Sequence, residues 1–253
     1  MRGEVLDANG TRILPNTPYR AHDKVYYYRH VEAEPQIPFD ATVLFQDEHL
    51  VVADKPHFLP VTPAGRYVQE TLLVRLKRSL GIDDLAPVHR IDRDTAGLVL
   101  FATTPAVRDR YAALFREREV TKRYEAIASY RAELRLPLTY RSRLSEGASF
   151  MQMRETPGSP NAETIFELVE TRGRLARYRL TPLTGKKHQL RAHMSALGVP
   201  ILNDRLYPTL QLRAPDTAPD YNRPLQLLAK SLTFTDPVSG EPRHFESRHE
   251  LHF

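Results

Sequence analysis

Between Val88 and Phe101 the chain reads VHRIDRDTAGLVLF, with its charge confined to the first half. Arg90, Asp92 and Arg93 fall within four consecutive positions, with His89 before them and Asp94 after. Thr95-Ala96-Gly97 then turns the chain into the apolar run Leu98-Val99-Leu100-Phe101. A carboxylate where a loop enters a buried strand is partly shielded from water, and a nearby guanidinium holds it ionised. Such a group can act as a nucleophile or take a proton. The plain alternative is a surface turn with a local ion pair, since Asp is common in turns.

Other chemistries fit less well. LTGKKHQ, Leu183 to Gln189, has the look of a phosphate loop, but Leu180 stands where a glycine is required and Lys187 where Ser or Thr is required. His188 and His193 are five apart and do not share a helix face as a zinc pair would. Asp92 and Asp94 could share a metal on an extended segment, with Arg90 and Arg93 competing for both charges. No Gly-x-Ser-x-Gly elbow is present. The absence of cysteine excludes disulfides and thiolate chemistry.

The 253 residues suffice for one large domain with a small appendage. Apolar residues make up 41%, in the globular range. Net charge is +5 and the isoelectric point about 9.4, which favours an anionic partner such as RNA, DNA or acidic lipid. Met1 to Gly10 has no apolar leader segment, and no run is long enough to span a membrane. The expectation is a cytoplasmic protein without membrane contact.

The elements that hold Val88–Phe101 follow from periodicity. Leu72, Leu73, Leu76 and Leu80 mark a helix that Gly81 stops. Thr104 can cap a second helix, with Pro105 in its first turn and Val107, Tyr111, Leu114 and Phe115 on one face. KHQLRAHMSALG reads as a short helix ending at Gly198. VLFQDEHLVVADKP reads as two strands around Asp47-Glu48, and Leu98 to Ala102 as a buried strand. KRYEAIASY and RYRLTPL alternate like half-buried strands. Strands outnumber helices without strict alternation, so the fold class is α+β with a mainly antiparallel central sheet. Residues 1–38 stand apart: short strands broken at Asn9-Gly10 and Pro15-Asn16, a Tyr26-Tyr27-Tyr28 run read as strand, and a linker, VEAEPQIPF. The main domain is expected over 39–253.

HRIDRDTAGLVLFA resembles the catalytic motif of RNA pseudouridine synthases of the RluA type, with Ile91 and Ala96 where Leu and Ser are usual. LVVADKP, VTKRYEAI, the stretch Pro182 to Tyr207 and LLAKSLTFTDPVSG resemble further segments of that family in the same order. Asn203 stands where a glycine is common. The first 38 residues are similar at most to the end of an S4 domain, without its helices. The resemblance implies detachment of uracil from ribose and its reattachment through carbon, with neither cofactor nor metal. It implies Asp92 as the catalytic carboxylate, Arg191 as its paired and orienting partner, and Tyr124 packed on uracil. By the same resemblance the target base is flipped out of its RNA and Arg90 fills the gap or grips phosphate. Lys122, Arg123, Lys186 and Lys187 become candidates for the RNA backbone, with Arg108, Arg110, Arg116 and Arg118 nearby. The Tyr124 hydroxyl, beside a catalytic acid, is expected to handle a proton. An rRNA or tRNA substrate and a monomer are the expected partners. An inactive RNA-binding protein and a nucleoside hydrolase that frees the base remain the alternatives.

Overall fold

The computed structural model describes residues 5–27, 34–147, 149, 151–211 and 220–253. The chain divides into two compact units, Met1–Pro35 and Gln36–Phe253. In the first, β1 (Val5–Leu6) pairs antiparallel with β2 (Tyr26–Tyr27). Asn9-Gly10 forms the expected turn: Asp7 accepts from the Asn9 and Thr11 amides, and Gly10 takes a φ of +78°. Tyr28 and the start of the expected linker lie outside the described residues.

The second unit contains β3 (Thr42–Gln46), β4 (Leu50–Lys55), α1 (Leu72–Leu80), β5 (Ala86–Pro87), β6 (Ala96–Ala102), α2 (Pro105–Arg116) and β7 (Thr121–Ser129). It continues with β8 (Leu138–Ser142), β9 (Leu144–Glu146), β10 (Met153–Glu155), β11 (Ala162–Arg172), β12 (Leu175–Pro182), α3 (Gln189–Ala196), β13 (Leu227–Thr235) and β14 (Pro242–Glu246). One ten-stranded sheet runs in the order β3-β4-β6-β13-β7-β12-β11-β8, with β5 added on β6 and β14 on β13. Among the described residues only β6 and β13 pair parallel; the other pairs of that sheet are antiparallel. Strands β9 and β10 form a separate hairpin. This is the α+β architecture expected from the pattern of elements.

Helices cover both faces of β4 and β6, so these strands read as unbroken apolar runs. Val51, Ala53, Val99 and Phe101 pack with Leu72 and Leu76 of α1. Leu50, Val52, Leu98 and Leu100 pack with Val107, Tyr111 and Leu114 of α2. The Thr71 hydroxyl caps α1 at the Val74 amide, and Gly81 ends it in the left-handed region. Thr104 sits at the N-cap of α2, but its hydroxyl makes no capping bond. Leu190 and Met194 of α3 pack on Phe166, Tyr178 and Leu180 of β11 and β12, and Gly198 follows that helix at φ +74°. Among the described residues no helix is long and apolar enough to cross a membrane.

Register places the chemistry. Gly97 lies opposite Ala229, and Ala229 lies opposite Tyr124, so one row crosses β6, β13 and β7. Gly97 has φ +111°, and a Cβ there would run into the Ala229 backbone. Only glycine lets β13 approach this closely and bring Tyr124 within reach of the loop that precedes β6.

Candidate active site

The loop before β6 is a tight turn in which the Thr95 amide donates to the Asp92 carbonyl at 3.1 Å. It is fixed from three directions. Buried Lys55, at the end of β4, donates through Nζ to the carbonyls of Pro56 at 2.9 Å and Arg93 at 3.0 Å. His57 Nδ1 donates to the Asp94 carbonyl at 2.7 Å. His89 accepts the Leu100 amide on Nε2 at 3.1 Å and stacks on Phe115, with ring centroids 4.2 Å apart. Burial, helped by Lys122, pushes His89 down to about 3, so it serves here as a neutral acceptor.

The arginines beside Asp92 do not hold it. Arg93 Nε pairs with Asp94 Oδ1 at 3.0 Å. Burial works against the Asp94 charge, but Arg93 outweighs it and holds that carboxyl below its ordinary range. Arg90 is exposed and lines the pocket. The cation on Asp92 comes from α3: Arg191 NH1 donates to Asp92 Oδ2 at 3.1 Å. The two parallel bonds that Arg191 makes go to another acid. Arg191 Nε and NH2 meet Asp204 Oδ2 and Oδ1 at 2.8 and 2.7 Å. The fork is planar and its geometry matches one carboxylate at a time. Asp204, whose side chain is fully buried, anchors Arg191, which presents its remaining NH1 to Asp92. Burial disfavours the Arg191 charge, yet Asp204 and then Asp92 raise its pKa above the ordinary value.

Asp92 opens onto a cavity of about 680 Å³, lined also by Tyr124, His188, Arg90, Phe115 and Leu227. Among the predicted residues the fold gathers Asp92, Arg90, Tyr124, Arg191, Lys122, Lys186 and Lys187 around this cavity. Arg123 is not among its lining: strand alternation sends it to the sheet face opposite Lys122 and Tyr124. Lys122 donates to the Thr184 carbonyl at 3.1 Å, and burial lowers it to about 8. It braces the β12–α3 turn. Burial and then the Asp92 charge push the Tyr124 phenol up, so its hydroxyl stays protonated at neutral pH. A phenol in that state keeps its proton: at neutral pH it is no base, and it gives that proton up less readily than an ordinary phenol.

Three residues stood outside the expected set: Lys55, Asp204 and His188. His188 Nε2 lies 3.8 Å from Asp92 Oδ1. Lys55 is fully buried, and burial brings it down from 10.5 to about 7, against the pull of Asp94 and Asp92. Between about pH 7 and 10.5 the unfolded chain therefore binds a proton that the folded chain has released. Stability gains with rising pH in that window, by up to about 1.4 kcal/mol per pH unit from this group. Lys55→Met is expected to lack that slope. Urea unfolding of both proteins between pH 7.5 and 9 measures the difference, and parallel curves would place the Lys55 pKa elsewhere.

A shielded carboxylate gripped on one oxygen, beside a phenol and above an apolar floor, can serve an electrophilic sugar carbon while a flat base stays in the cavity. Known proteins resemble this chain in sequence and fold. The model of the RNA pseudouridylate synthase family matches residues 49–196. The dual-specificity RNA pseudouridine synthase RluA of Haemophilus influenzae is 32% identical over 232 residues, spanning 87% of this chain and 99% of the relative. The RluA of Escherichia coli K12 is 36% identical over 84% of this chain and 94% of its own. The structure of human RNA pseudouridylate synthase domain containing 4 superposes with a TM-score of 0.63 at 26% identity, over 83% of this chain and 88% of that one. The chain belongs to the RNA pseudouridylate synthase family. It is an RNA pseudouridine synthase, an isomerase.

Proposed function

We propose that this protein converts uridines in structured rRNA or tRNA to pseudouridine, with Asp92 as the essential carboxylate and without a cofactor. The observation that carries this reading is the chain Asp204–Arg191–Asp92, which holds Asp92 by one oxygen at the lining of the cavity. Uridine and pseudouridine contain the same atoms. The reaction breaks N1–C1′, forms C5–C1′, removes a proton from C5 and adds one to N1. It is redox-neutral and transfers no outside group, so a carboxylate, a donor and a dry pocket suffice. Asp92 serves C1′, either by bonding to it or by removing a sugar proton as the base leaves. Tyr124 and the floor around Leu227 keep the freed uracil in place while it turns. RNA as substrate agrees with the +5 charge and the cationic pocket rim. A tRNA or rRNA target is supported by relatives: one from Saccharomyces cerevisiae, 34% identical over 76% of this chain and 42% of its own, is named a tRNA pseudouridine(32) synthase. Residues 39–253 are taken as the catalytic domain.

The test is incubation of total RNA with the protein, followed by nucleoside analysis. Pseudouridine should appear at the expense of uridine without free uracil. Free uracil would indicate a hydrolase, and unchanged RNA an RNA-binding protein without activity.

Two further expectations belong to the pocket. Tyr124→Phe keeps the ring and is expected to keep most of the single-turnover rate, because the buried phenol gives up its proton less readily than an ordinary one and the ring does the packing. Tyr124→Ala should weaken the grip on the base by about 1–3 kcal/mol, the range for base–aromatic stacking. A Phe variant as slow as the Ala variant would return the hydroxyl to the chemistry. The log–log salt slope of RNA binding should be about −0.7 to −0.9 per phosphate contact. Replacing Lys186 and Lys187 by Ala should flatten it, while Arg123→Ala, on the other sheet face, should leave it unchanged. The reverse pattern would put the RNA across that other face.

A further inference from the structure

His188 is the other group aimed at Asp92. It precedes α3 with φ 52° and ψ 19°, the left-handed region that non-glycine residues seldom adopt. Neighbouring bonds hold it there. Gln189, the next residue, accepts the Lys186 amide and donates to the Glu163 carbonyl and Thr164 hydroxyl. The Ala192 amide donates to the His188 carbonyl. Strain kept in place by its surroundings clusters at functional sites.

The hydrogen bonds assign its tautomer. Tyr207 Oη accepts the Met153 amide at 2.7 Å and donates to the Met153 carbonyl at 3.1 Å. With its proton committed, that hydroxyl accepts from His188 Nδ1–H at 3.4 Å. Nε2 is then left with its lone pair, 3.8 Å from Asp92 Oδ1. Arg191 NH1 holds the other oxygen, Oδ2. Two basic atoms thus face each other at 3.8 Å, and a proton on either would draw them to hydrogen-bond distance.

We propose that Asp92 Oδ1 and His188 Nε2 form one shared proton site, which receives the proton that uracil C5 loses after the new bond to C1′ has formed. This rests on the reading of Asp92 given above. At that stage C5 is bonded to C1′, the atom Asp92 serves. The carboxylate is free again whether it first bonded to the sugar or first took a sugar proton. The C5–H bond breaks, its electron pair returns to the ring and restores C5=C6, and the proton passes to Oδ1 and is held by Nε2. N1 gains a proton from the same site or from water, so the count closes. Burial, then the charges of Arg191 and Lys187, lower the His188 pKa against the pull of Asp92 and Asp204, so the imidazole is neutral and able to receive.

The test uses transcripts of tRNA and rRNA fragments made with uridine carrying hydrogen or deuterium at C5, at saturating enzyme. His188→Asn suits it, because Asn tolerates the left-handed backbone and cannot hold the proton. Thermal midpoint and RNA affinity should match wild type. The rate should fall roughly 10²-fold, and a primary deuterium isotope effect absent from wild type should appear, since loss of the C5 proton becomes limiting. If the Asn variant folds poorly, His188→Gln carries the same test. A near-wild-type rate, or a slower rate with no isotope effect, would overturn the proposal while leaving the Asp92 reading intact. A wild-type protein that makes no pseudouridine would overturn both.

Discussion

Asp92→Asn is expected to fold, bind RNA with unchanged affinity and lose at least about 10⁴-fold in single-turnover rate, the upper end for one positioned acid–base group. The amide keeps the shape and accepts the Arg191 NH1 bond through its oxygen, so the pocket should stand. It cannot attack C1′, and it cannot take a proton. Asp94→Asn is the informative companion. Asp94 pairs with Arg93 beside the loop and does not line the large cavity, so most activity should remain. Measured rates in the opposite order would move the chemistry from Asp92 to Asp94.

Arg191→Lys is the second large effect, although it keeps the charge. Arg191 makes three bonds at once, two to Asp204 and one to Asp92. An ammonium is a point charge and cannot span both acids in that geometry. Asp204, with a fully buried side chain, then loses part of its pairing. The stability cost should be about 1–3 kcal/mol, as for a buried polar group left short of a partner. Asp92 also loses its brace, and displacing a reacting group by about 1 Å costs on the order of 10²-fold in rate. Asp204→Asn should reproduce the rate loss without touching Arg191 or Asp92. A normal rate in Arg191→Lys with reduced stability would make the arginine a structural strut and nothing more.

What the sequence discloses here depends on how local each signal is. The loop at Asp92, the apolar strand after Gly97 and the helix between Thr71 and Gly81 are written in contiguous residues. Caps, glycine and periodicity act within a few positions of each other. The choice of ion-pair partners is not local. Arg90, Arg93 and Arg191 could each serve Asp92 or Asp94, and only the fold brings α3 to the loop, 99 residues away along the chain. Asp204 was in view within the Asn203-to-Tyr207 stretch, but nothing nearby says that its oxygens face Arg191. His188 carried no warning of its left-handed backbone. Lys122 and Arg123 are a different case. Adjacent residues of a strand face opposite ways, so the alternation in KRYEAIASY already separated them, and grouping them as one patch overlooked that.

The most direct measurement is pseudouridine mapping, at single-nucleotide resolution, of rRNA and tRNA from cells that lack this protein, then from the same cells supplied with wild type or Asp92→Asn. Defined uridines should lack the modification in the deficient cells, regain it with wild type and stay unmodified with Asp92→Asn. Identical maps in all three, or restoration by the Asn variant, would contradict this reading.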